Sequence, residues 1–150
     1  VFNYVDKTWA TGTMERTAWL DRGILENPVA VDHDGAFWYH EIGHNAGTEP
    51  MTAFVKSAPM DIDDGDRVVR VDGYAPDFVL SGQCELITSY RRYPQDTLRT
   101  KGALTINPTT RRVDTRLEAR QVAIEIRSDG LDDFWRLGQL RMNVGTAGRR

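Results

Sequence analysis

Cysteine is nearly absent: Cys84 stands alone. One thiol excludes an internal disulfide framework and any cysteine-based zinc cluster, and Cys84 is expected to pack as a small apolar side chain. Long apolar runs are missing too. No window approaches the roughly 18 residues that a membrane helix needs, so no membrane partner is expected. There is no glycine-rich phosphate loop, and Ser57, Ser81 and Ser89 lack the G-x-S-x-G setting of a serine nucleophile. The opening Val1-Phe2-Asn3-Tyr4 has neither the basic region nor the apolar run of a signal peptide. It also lacks an initiator Met and starts in what reads as mid-strand, so a piece of a longer protein is expected.

What is present is ordinary in amount. Hydrophobic residues make up 40% and charged residues 27% of 150, enough for one respectable core. The net charge of -3 hides a gradient: residues 1–90 carry 6 basic and 15 acidic side chains, and residues 91–150 carry 13 basic and 7 acidic. Twelve of those 13 are Arg, which pairs in two-toothed fashion with carboxylate and phosphate. Such asymmetry suits subunits docking tail to head, or a wall that meets nucleic acid.

Strand signals recur at short spacing. Asp6-Lys7 reads as a turn between Phe2–Val5 and Thr8–Thr11, and Thr17–Leu20 ends at Asp21-Arg22-Gly23. Val29-Ala30-Val31, the Asp34-Gly35 turn and Phe37–Ile42 make a hairpin signal. Further strands are expected at Thr52–Ser57, Arg67–Val71, Pro76–Leu80, Gln83–Tyr90, Ala103–Ile106 and Phe134–Val144. Arg116–Arg127 favours helix in its first half by propensity. Val122, Ile124 and Ile126 alternate with Ala123, Glu125 and Arg127, however, and the stretch is read as one strand. The fold class expected is all-β with antiparallel sheets, in β-propeller-like blades or, alternatively, a β-sandwich. Residues 1–50 would supply blade strands, and residues 51–150 a C-terminal β domain or the closing blades.

His40-Glu41-Ile42-Gly43-His44 fits H-E-x-x-H. On a helix, histidines four apart share a face and chelate one zinc ion, and the Glu activates the bound water. A metzincin third ligand would stand at position 50, which is Pro50. The segment also lies among glycines and strand-favouring aromatics. In a strand, His40 and His44 would be about 13 Å apart, too far to share an ion. The reading of the residues therefore assigns no metal, no cofactor and no catalytic residue, with a zinc metallopeptidase using His40, Glu41 and His44 as the alternative. Asp61-Ile62-Asp63-Asp64-Gly65-Asp66 is similarly read as a charged turn, because Val71 stands where a calcium loop needs Glu.

The chain resembles the C-terminal part of tailed-bacteriophage tail hub, nozzle-like or packaged-DNA stabilisation (neck) proteins. The resembling stretches include Arg16–Gly23, Asp34-Gly35 leading to Tyr39–Gly43, Pro50–Ser57, Asp64–Asp66, Pro76–Phe78 and Tyr93-Pro94. Arg116–Gln121, Ser128-Asp129, Trp135–Gly138 and Gly148-Arg149-Arg150 continue the likeness. The resemblance implies a structural virion protein, made in the host cytoplasm, that retains the packaged genome and forms the ejection channel. It also implies a propeller-like body and a homo-oligomeric ring, with a hexamer expected, touching portal, adaptor or tail proteins and, in passing, packaged DNA. In a ring of this kind the acidic residues 61–66 are expected to face lumen or solvent, and the arginines of 111–127 neighbouring subunits. A third reading is a β-sandwich binding module with Trp9, Trp19, Trp38 and Trp135 as platforms, although these are expected chiefly in the core.

Overall fold

The computed structural model describes residues 1–147; the Gly148-Arg149-Arg150 stretch of the resemblance lies outside the described residues. The described residues form strands and turns with no helix, and all the strand pairings are antiparallel. No closed barrel or propeller forms among them. The chain divides into two compact units, Val1–Gly43 and His44–Arg150.

In the first unit, β1 (Phe2–Asn3) and β2 (Thr8–Trp9) form a short hairpin. Asn3 Oδ1 accepts the amides of Val5 and Asp6, and Lys7 takes φ 53°, which together close the turn. Strands β3 (Ala18–Leu20), β4 (Val29–Val31) and β5 (Phe37–Tyr39) make a three-stranded sheet. The expected hairpin between β4 and β5 is present, with Gly35 at φ 82°. The strand stops at Tyr39 and does not run on to Ile42, because Glu41 and Gly43 both adopt positive φ.

The second unit contains β6 (Asn45–Ala46), β7 (Glu49–Pro50), β8 (Ala53–Lys56), β9 (Met60–Asp61), β10 (Val69–Ala75) and β11 (Phe78–Ser81). It continues with β12 (Cys84–Arg91), β13 (Arg99–Ile106), β14 (Val113–Ala119), β15 (Gln121–Ser128), β16 (Phe134–Leu137) and β17 (Arg141–Thr146). Five of these make one sheet, ordered β13-β12-β15-β8 with β9 also on β15. A second sheet is ordered β14-β10-β17. The two sheets share one core: Cys84, Leu86, Ile106, Val122 and Ile126 from the first meet Val69, Val71, Tyr74, Val113, Leu117 and Ala119 from the second.

Period-two alternation produces this core, since successive side chains of a strand point to opposite faces. On β12, Cys84, Leu86 and Thr88 are buried while Glu85, Ile87 and Ser89 are not. On β10 the alternation slips. The pairing shifts register between Val71 and Gly73, so Val71 and Tyr74, three apart, both reach the interior. Gly73 is required there, because a Cβ would lie 2.7 Å from the carbonyl oxygen of Val113.

The stretch Arg116–Arg127, read as one strand, is two. The chain leaves the smaller sheet at Ala119, turns at Arg120 and enters the larger sheet at Gln121. Backbone bonds fix this corner: Arg120 N donates to Arg91 O, and Ile62 N donates to Arg120 O. The tryptophans also depart from expectation. None is fully buried, and Trp9 is 78% exposed.

Candidate functional site

The H-E-x-x-H residues do not lie on a helix. His40 follows β5, and Glu41 at φ 61° cannot continue either a helix or a strand. Within the first unit, Trp19, Ala30 and Trp38 lie side by side across β3, β4 and β5. The Arg16 guanidinium lies 4.7 Å above the Trp38 ring, and the His40 ring stands 4.6 Å from that of Trp19. Arg16 Nε donates to His40 Nε2 at 3.2 Å. That bond occupies the lone pair a zinc ion would need and places a cation beside it. Burial, and then the Arg16 charge, hold the His40 pKa below its ordinary range, which favours the neutral, accepting ring.

Glu41, which would serve as the general base, is engaged as well: its carboxylate pairs with Arg22 at 3.0 Å. His44 belongs to the second unit, where its ring stands 4.6 Å from Phe134. Next to it, Asn45 and Asp132 exchange reciprocal bonds, Asn45 Nδ2 to Asp132 Oδ1 at 2.7 Å and Asp132 N to Asn45 Oδ1 at 2.8 Å. Each of the three motif residues thus has its own neighbour, and no group of three or more metal-ligating side chains occurs among the described residues.

The turn at Asp61–Asp66 is anchored through Ile62, which is buried in the core, while Asp63, Asp64 and Asp66 stand exposed. Asp61 accepts from Gln121 Nε2 at 2.6 Å. Two of the arginines expected to face neighbours already have partners in their own chain: Arg112 pairs with Asp114, and Arg127 with Glu85. Arg120 lies over the Tyr93 ring, 5.0 Å from its centroid.

Sequence reasoning missed Asp32. Its Oδ1 accepts the amides of Asp34 and Ala36, and its Oδ2 accepts Trp38 Nε1 at 2.6 Å. The Trp38 bond is the main reason its pKa is lowered. An Asp ahead of a D-G turn is a common loop organiser, so the signal was present in Asp32-His33-Asp34-Gly35.

The chain matches no family model, and no curated protein matches it either.

Proposed function

We propose that this protein is a structural component of a tailed-phage virion, part of the head-to-tail connection or tail hub that retains the genome and conducts it. One observation carries the reading. Residues 1–43 bury only Pro28 and Ala30, while Trp9, Trp19, Phe37 and Tyr39 are exposed. A unit of that size with so little interior is not self-sufficient, and exposed aromatics of this number are the mark of a surface that other chains cover. An assembly protein has that requirement; a free-standing enzyme does not.

Other features support the same reading. The all-β body of short antiparallel strands offers sheet edges for lateral pairing. The arginine-rich C-terminal half supplies charge for oriented contacts with neighbouring subunits, and the exposed aspartates of 61–66 are left to face lumen or solvent. On this reading the N-terminal hairpins are blade strands of a propeller-like body completed by other copies.

Negative-stain electron microscopy and sedimentation of the purified protein test it. Rings of uniform copy number are expected. A stable monomer at micromolar concentration would overturn the proposal.

A further inference from the structure

A concave cavity of about 410 Å³ lies in the second unit, where the end of β12 and the start of β13 meet the outer face of the β10–β14 pair. Five arginines line it: Arg70 from β10, Arg91 and Arg92 from the end of β12, Arg99 from the start of β13 and Arg116 from β14. Pairing register brings them together, since Arg70 is opposite Glu118, two residues from Arg116, and Tyr90 is opposite Arg99.

The charges do not cancel. Arg70 pairs with Asp72, and Arg92 with Glu118. Arg91 is held by Gln121 Oε1 at 2.6 Å, a neutral acceptor. Neither Arg99 nor Arg116 takes part in an ion pair among the described residues. Set against the carboxylates of Asp96, Glu118 and Asp72, the five guanidinium groups leave an excess of two positive charges around one cavity. Clustered like charges repel, and an anion between them offsets that cost.

We propose that this cavity is an oxyanion site that takes the phosphate group of a phosphate-bearing ligand. A planar carboxylate is satisfied by one guanidinium fork, whereas a tetrahedral phosphate presents oxygens to several forks approaching from different strands. The volume falls in the range of small-ligand sites and leaves room for the group that carries the phosphate. This inference is independent of the virion reading: a monomer that binds phosphate would sink that reading and leave this one standing.

Isothermal titration with inorganic phosphate, at ionic strength held constant with chloride, tests the site. Saturable binding is expected, weakened at least about tenfold in the R99Q/R116Q variant, the scale of one charge-assisted hydrogen bond. The R127Q/R136Q variant removes the same charge outside the cavity and is expected to bind like the parent. Urea midpoints of both variants check that they fold. Two further arms identify the source: a nucleoside monophosphate, and a single-stranded oligothymidylate without terminal phosphates. Loss of the first arm alone in R99Q/R116Q supports a terminal phosphate; loss of both supports a phosphodiester. Absence of saturable phosphate binding, or equal weakening in the two variants, would overturn the site.

Discussion

The hydroxyls of Tyr74 and Thr88 stand 2.9 Å apart at the centre of the core, on β10 and β12, and so join the inner faces of two different sheets. Both side chains are essentially without solvent contact, and burial raises the Tyr74 pKa. Each hydroxyl therefore depends on the other.

Tyr74→Phe is expected to cost about 1–3 kcal/mol, because it leaves the Thr88 hydroxyl buried without that partner. Adding Thr88→Val removes the orphaned group and should recover part of the loss. Urea unfolding of the two single variants and the double variant measures the coupling. An unchanged midpoint in Tyr74→Phe would show that the bond contributes nothing.

Gly73→Ala places a methyl group against the Val113 carbonyl at the bulge of β10. Overpacking of this kind costs about 1–3 kcal/mol. Gly102 on β13 has open space around it, so Gly102→Ala should stay within about 0.5 kcal/mol of the parent. Thermal unfolding of the pair separates a packing requirement from a general effect of replacing glycine in a strand.

Asp32 gives the first unit a pH signature. Its carboxyl is held below its ordinary value of 3.8, first by the Trp38 bond and then by the Ala36 amide. A depressed folded pKa means that the stabilisation is present above the unfolded value and is lost as pH falls through the folded one. The Trp38 indole N–H resonance should therefore move with a midpoint below pH 3.8. Movement centred at or above that value contradicts the arrangement.

Cys84 is buried, and burial first, then the nearby Asp133 carboxylate, pushes its thiol up to about 11. A thiol in that state is a poor nucleophile at neutral pH. Ellman's reagent at pH 8 should find no reactive thiol in the native protein and one per chain in denaturant. Rapid native labelling would mean that this part of the core opens.

His40 and Glu41 are engaged by Arg16 and Arg22, so dialysed protein should hold far less than one zinc per chain. Metal analysis by plasma mass spectrometry checks this, with His40→Ala as the comparison. Stoichiometric zinc that the substitution removes would restore the metallopeptidase reading.

Much of the fold was legible. The Asp34-Gly35 hairpin, the turn at Asp6-Lys7 and the alternation of β12 are local matters, fixed by glycine's access to positive φ and by the two-residue period of a strand. The break at Arg120 was not legible, since Val113–Ala119 and Gln121–Ser128 both alternate and nothing local says that they serve different sheets. Nor was the exposure of the tryptophans. An apolar residue type reports a preference for burial, and whether burial is available depends on what packs above it.

The H-E-x-x-H stretch shows the same divide. Flanking glycines and aromatics told against a helix; only the folded chain brings Arg16 and Arg22, far away in sequence, onto His40 and Glu41. The arginine-lined cavity is the clearest case. Composition revealed an excess of arginine from residue 91 onward, but not that four of these, Arg91, Arg92, Arg99 and Arg116, converge with Arg70 on one cavity. Sequence alone determined the all-β class, because strand and turn preferences act over a few residues. Tertiary structure decided which strands became neighbours, and with them where charge converges, because pairing between distant strands is chosen by the shared core and not by any one segment.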